Sequence, residues 1–238
     1  MAEIAITSTL AGLATVLGAL IVIMFGKPRA PVLSLLLGLA AGVMIGVVIM
    51  DLLPSALVYG DLKITILGSI AGVVMMFALQ RAIVHSSSFE RVRTAKHWLS
   101  MGYFIALAIA MHDFPEGLAI GAGYFAEPGL GVMIALAIGL HNIQEGIGMA
   151  APLWMGGASI PRILMITLLT SLCTPLGALT GTLFFGLSSA IIGLAIALAA
   201  GAMIYVVVSE LLPQAQELGI VTGAVGIALG LGLVVLAL

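Results

Sequence analysis

The chain has 238 residues, 62% of them hydrophobic and 8% charged, with a formal net charge of −2 and a mean hydropathy of +1.30. Soluble domains carry about 25% charged residues, so this chain has too few charges to build a water-facing surface. It lacks the basic face that nucleic-acid binding needs, and its single cysteine, Cys173, excludes an intrachain disulfide.

A helix needs about 20 mostly apolar residues to cross a bilayer. Eight such stretches follow one another: 3–25, 31–57, 62–84, 99–125, 130–153, 161–186, 188–215 and 218–238. They predict an all-α membrane protein of eight transmembrane helices, with 1–238 forming a single transmembrane domain. The first stretch has no basic segment ahead of its apolar run and reads as a span, not a cleaved leader. The breaks carry turn chemistry: GKPRAP at 26–31, YGD at 59–61, EPG at 127–129 and GGASIP at 156–161. The longest polar stretch, 85–97, holds His85 and His97, which read as ordinary loop residues. Tyr59, Trp98, Tyr103 and Trp154 fall near span ends, as interfacial aromatics do.

Positive charge orients the spans. Lys27, Arg29, Arg81, Arg91, Arg93, Lys96 and Arg162 fall in the odd-numbered connections and Lys63 alone in the even ones. Short loops rich in Lys and Arg stay in the cytoplasm. The expectation is a multi-pass protein of the plasma (inner) membrane with both termini outside the cytoplasm.

Two segments recur. MIGVVIMDLLPSA (44–56) in span 2 returns as MIYVVVSELLPQA (203–215) in span 7. ALAIAMHDFPEGLAIG (106–121) in span 4 returns as ALAIGLHNIQEGIGMA (135–150) in span 5. The members of each pair run in opposite directions, so these are inverted repeats, arranged as three spans, a central pair and three inverted spans. Secondary transporters place a midplane site at such a repeat interface. Shared composition alone accounts for the Ala/Leu/Ile/Gly flanks but poorly for the shared H-x-x-x-E-G and [DE]-L-L-P cores.

The central motifs carry the chemistry. His112 and Glu116, and again His141 and Glu145, are four apart, which puts each pair on one helix face. Asp113 and Asn142 follow the histidines. Three unpaired carboxylates at the bilayer centre (Asp113, Glu116, Glu145) would cost roughly 8–10 kcal/mol on insertion scales. No Lys or Arg in the spans is near enough to neutralise them, and a divalent cation would. Imidazole and carboxylate both ligate zinc, and the lack of a thiolate other than Cys173 points to a borderline ion. Zinc, iron(II), manganese, cobalt, nickel and cadmium all fit. Two other readings of the residues stay open: protonated carboxylates that hydrogen-bond between helices, and a proton relay with no metal. Pro115 removes the helical partner of the Met111 carbonyl, and such freed backbone is tolerated at membrane depth where it lines a polar cavity. Asp51, ending span 2 on the outer side, and Glu210, ending span 7 on the inner side, are candidates for collecting and releasing the ion. The scattered methionines read as packing, and no nucleotide-binding motif is present.

HDFPEG and HNIQEG, 29 residues apart on the fourth and fifth of eight spans, resemble the ZIP family of divalent-metal transporters, above all its prokaryotic GufA-like branch. The resemblance covers span number, termini, motif placement and the loop between spans 3 and 4. It implies a central metal site of His112, Glu116 and Glu145, with His141 as a further ligand. Asp113 and Asn142 occupy the positions that contribute to a second, adjacent site in some members. The resemblance implies a bundle of spans 1, 4, 5 and 6 moving against spans 2, 3, 7 and 8, and a homodimer. Gln144 stands where many members have proline, and Thr174 before Pro175 stands where two-metal members have glutamate, so one metal is expected.

The leading expectation is therefore membrane transport of divalent transition metals, zinc first, into the cytoplasm by alternating access. The protein is expected not to be an enzyme and to hold no cofactor, the metal being its cargo. Its partners are metal ions and lipid, with no nucleic acid or nucleotide. The competing class is an intramembrane metal-dependent hydrolase built on the same residues, with Glu116 or Glu145 activating a metal-bound water. A metal-sensing scaffold is a third class, disfavoured because no sensory domain is evident.

Overall fold

The computed structural model describes residues 1–84, 94–126, 128–183 and 189–237. His85, Arg91 and Arg93, the far end of the expected sixth span and the first residue of the seventh lie outside the described residues. The described chain is helical throughout its length. Span 1 is Ala2–Phe25, span 2 Ala30–Tyr59, span 3 Leu62–Val84, span 4 Ala95–Ala126 and span 5 Pro128–Met155. Span 6 is Ile160–Ser171 followed by Cys173–Leu183, span 7 is Ser189–Leu218 and span 8 is Ile220–Ala237. Seven of these are long and apolar enough to cross a membrane, and span 8 is a shorter apolar helix. At 1.5 Å per residue its 18 residues still reach about 27 Å.

Polarity is arranged as lipid demands. Leu10, Leu17, Ile70, Val74, Leu136 and Leu229 point outward, whereas Ser8, Thr15, Asn142, Thr167 and Thr174 are buried. Gly26 and Gly157 make two of the connections with positive φ, 81° and 87°, a region that costs glycine nothing.

The local departures from simple helix follow from proline. Pro54 and Pro213 have no N–H to give back and would clash with the carbonyls of Met50 and Ser209. The chain widens to a π-turn just ahead of each, over Val48–Leu52 and Val207–Leu211. The Leu53 N–H bonds to the Val48 carbonyl and the Leu212 N–H to the Val207 carbonyl. Pro175, in the first turn of Cys173–Leu183, likewise ends the preceding helix at Ser171. Span 6 is thus two stacked helices, not one.

Packing shows the inverted repeat directly. Span 1 packs on span 5 as span 6 packs on span 4, and span 2 packs on span 8 as span 7 packs on span 3. The close approaches correspond residue by residue. A Cβ on Gly18 would run into the Ile143 carbonyl and one on Gly146 into that of Thr15. In the other half, a Cβ on Gly177 would run into Phe114 and one on Gly117 into Thr174. These are the same four positions displaced by the repeat offsets of 159 and 29 residues. Small residues allow such backbone contact between membrane helices. Spans 1, 4, 5 and 6 thereby form one bundle and spans 2, 3, 7 and 8 a second. They meet along two seams, span 4 against span 7 and span 2 against span 5. The Gly38/Gly42/Gly46 stripe of span 2 abuts span 8 at Gly223, Ile227 and Val234, inside the second bundle and away from the seams.

Three expectations change. Asp51 and Glu210 do not end their helices; each sits in a π-turn, with spans 2 and 7 running eight residues further to Tyr59 and Leu218. His97 is in the first turn of span 4, not in a loop. Trp98, still near the start of span 4, turns inward: it is 4% exposed and packs in the main core.

Candidate metal centre

Spans 4 and 5 carry the six central residues, and all six are buried: His112, Asp113, Glu116, His141, Asn142 and Glu145. The glycine contacts explain why the two helices present them so firmly. Gly117, next to Glu116, is pressed on span 6, and Gly146, next to Glu145, is pressed on span 1. Each motif is held from behind by the helix that packs on it.

The His–Glu pairing crosses between helices and does not run along them. His112 Nε2 lies 2.8 Å from Glu145 Oε1, and His141 Nε2 lies 3.0 Å from Glu116 Oε2. The four residues form two reciprocal pairs, each the other's counterpart in the repeat. Asp113 breaks the equivalence. Its Oδ1 is 3.6 Å from His112 Nε2, and His112, Asp113 and Glu145 offer ligand atoms all within 4.8 Å of one another. Glu116 belongs to the His141 side and not to this tight group.

Asn142, the counterpart of Asp113, is used differently. Its Nδ2 donates to the Ala11 carbonyl at 3.0 Å, tying span 5 to span 1. Its Oδ1 has no partner, and neither do His112 Nδ1, both Asp113 oxygens, Glu116 Oε1, Glu145 Oε2 or Thr174 Oγ1. A buried polar atom without a partner costs about 1–3 kcal/mol, and more if charged. These orphaned atoms sit on spans 4, 5 and 6, and His112, Asp113 and Glu145 among them could hold a cation. Nitrogen and oxygen donors without a thiolate suit a borderline divalent ion.

Asp51 lies off the centre, toward the Tyr59 end of span 2. A cavity of about 300 Å³ is lined by Asp51, Ser55, Tyr59, Pro115, Glu116 and His141. A groove of about 480 Å³ shares Asp51 and His141 and adds Gln144, Val47, Leu140 and Leu233. Asp51 Oδ1 accepts a hydrogen bond from Ser55 Oγ at 3.2 Å. Glu210, the counterpart of Asp51, is instead tied to span 3: Gln80 Nε2 donates to Glu210 Oε1 at 2.6 Å, and the Tyr205 hydroxyl donates to Gln80 Oε1. Sequence reasoning missed Gln80 and Tyr205. A lone glutamine in the apolar run of span 3 was the available signal.

The family model described as ZIP zinc transporter matches residues 80–236, about two thirds of the chain and all of both motifs. The chain belongs to the ZIP zinc transporter family. Within it, this ZIP chain is 42% identical over 123 residues to the zinc transporter GufA of Myxococcus xanthus, covering 51% of this chain and 48% of that protein. It is 45% identical over 144 residues to the zinc transporter ZupT of Chlorobaculum parvum, covering 58% of this chain and 52% of that protein. A third ZIP relative, ZupT of Chlorobium chlorochromatii, is 42% identical over 147 residues, with 60% and 54% covered. The chain spans about half the length of the curated relatives it matches. Membership makes it an integral, multi-pass, prokaryotic-type ZIP protein with a GufA-like sequence.

Proposed function

We propose that the protein carries divalent transition-metal ions, zinc first and iron(II), manganese, cobalt or cadmium as further cargo, across the inner membrane into the cytoplasm. The observation that carries this reading is the pair of reciprocal His–Glu contacts with Asp113 beside them, buried at the centre of an inverted repeat. The relatives named zinc transporters support the choice of zinc. In this reading 1–238 is one transporter domain, both termini lie outside the cytoplasm, and the Tyr59 end of span 2 faces outward.

The ion enters through the cavity at Asp51 and exchanges its water for His112, Asp113 and Glu145, with Glu116, His141 and the Asn142 oxygen close by. One metal is expected, because Thr174 supplies a hydroxyl where a second ion would want a carboxylate. The two bundles then shift along their seams, and Glu210 takes the ion on the cytoplasmic side. A homodimer belongs to the same reading, and the mass of the detergent-solubilised protein tests it.

Purified protein in liposomes loaded with a zinc-sensitive dye provides the test. Influx that disappears in His112→Ala and Glu116→Ala is expected. Tight zinc binding with no influx would overturn transport and favour the intramembrane hydrolase.

A further inference from the structure

The repeat makes the two seams equivalent in sequence, yet they differ in state. On the Tyr59 side, Asp51, Ser55 and Ile134 line the 300 Å³ cavity that spans 2 and 5 enclose together with spans 4 and 7. Their counterparts on the Leu218 side, displaced by the same offsets, are Glu210, Gln214 and Ile105. There the chain is packed: Ile105 is 3% exposed and Gln214 is 8% exposed. Phe104 of span 4 meets the edge of Tyr205 of span 7 at 6.4 Å between ring centres.

Among the described residues, one polar contact crosses this closed seam near its mouth. His97 Nε2 of span 4 and Gln214 Nε2 of span 7 are 3.0 Å apart. Two nitrogens at that distance make a hydrogen bond either way. The amide donates to an unprotonated ring nitrogen, or it turns so that Gln214 Oε1, otherwise buried without a partner, accepts from the ring N–H. His97 is well placed to hold. Its backbone N–H bonds to Thr94 Oγ1 at 3.2 Å, and its ring packs edge-on to the buried Trp98 at 5.7 Å.

We infer that the His97–Gln214 hydrogen bond is the latch of a gate on the Leu218 side, closing spans 4 and 7 on each other while the Tyr59 side stands open. This rests on the alternating-access reading above. Gln214 is one turn beyond Glu210, so breaking the latch parts the seam beside that carboxylate. The vestibule that opens is the repeat-related copy of the present cavity, lined by Glu210, Gln214 and Ile105. His97 thereby gains a role that its place in the sequence did not suggest.

Thiol accessibility in nanodiscs, where both faces are open to reagent, tests the latch without relying on flux. In a Cys173→Ser background, Ile105→Cys and Ile134→Cys serve as matched reporters for a membrane-impermeant maleimide. Ile134→Cys should react quickly and Ile105→Cys slowly. Adding His97→Ala should speed Ile105→Cys by about five-fold, the equilibrium shift that one net hydrogen bond represents. Gln214→Ala should do the same, and the double variant should add nothing further. Ile134→Cys should stay the same or slow.

An Ile105→Cys rate unmoved by either substitution would overturn the latch. So would a parallel rise at both reporters, which signals a loosened fold and not an exchange of gates. Failure of the transport reading shows separately, as absence of zinc influx in the unsubstituted protein.

Discussion

Gly117→Ala puts one methyl group where the fold has no room for it. The new Cβ would strike the Thr174 carbonyl and come within 2.8 Å of Ala178 N and 2.9 Å of Gly177 Cα. All three are backbone atoms of span 6, so no side chain can swing aside. Ordinary contact is restored only if spans 4 and 6 part by roughly 1.5 Å, and overpacking of this kind costs about 1–3 kcal/mol. A domain of this size loses roughly 2–4 °C of melting temperature per kcal/mol. The expected fall is therefore about 4–8 °C for a cost near 2 kcal/mol. Glu116 is the adjacent residue and moves with the helix, so zinc affinity should fall as well. Gly232→Ala is the control, since nothing lies within 4 Å of its added Cβ. The assay is thermal unfolding in detergent together with zinc titration on both variants. If Gly117→Ala melts and binds zinc as Gly232→Ala does, the close packing of spans 4 and 6 described above is wrong.

Other substitutions test the centre and its approaches. Asp113→Asn keeps the shape but removes the charge that distinguishes span 4 from span 5; zinc affinity should drop at least ten-fold by titration, about 1.4 kcal/mol, and an unchanged affinity would remove Asp113 from the ligand set. Asn142→Ala deletes the bond to Ala11 and should cost about 1 kcal/mol of stability, read as a lower melting temperature; an unmoved melting temperature would discount the tether to span 1. Asp51→Ala should lower zinc influx at low outside zinc more than at saturating zinc, and unchanged kinetics would take Asp51 off the path. Glu210→Ala should slow influx at saturating zinc, where release limits the rate, and wild-type rates would count against its role. Acidification should weaken zinc binding, because imidazole and carboxylate ligands must shed their protons to bind; binding that does not change between neutral and mildly acid buffer would argue against this ligand set.

Much of the fold was legible because lipid imposes a simple rule: apolar runs long enough to cross must be helices. The inverted repeat was legible for a different reason. The H-x-x-x-E-G core recurs where each half builds the same backbone contact, as Gly117 on Thr174 and Gly146 on Thr15 show, and the [DE]-L-L-P core recurs with a π-turn ahead of each proline. Periodicity could not reveal the π-turns at Asp51 and Glu210, since a wide turn and an α-turn carry the same apolar pattern. Pro54 and Pro213 were the local clue.

The residue types of the centre were legible, and their partners were not. Residues four apart on one helix suggested His–Glu units within a span, but the carboxylates reach across to the opposite histidines. Helical spacing fixes a face and says nothing of which neighbour that face meets. The same gap hid the Gln80–Glu210 and His97–Gln214 contacts, whose partners are 130 and 117 residues apart in the chain.

Anomalous diffraction from zinc-loaded crystals tests the central claim most directly. A single strong zinc peak is expected between spans 4 and 5, with His112 nitrogen and carboxylate oxygens of Asp113 and Glu145 at about 2.0–2.2 Å, and it should be lost in His112→Ala. A midplane without zinc, or zinc bound only near the loops, would contradict that claim.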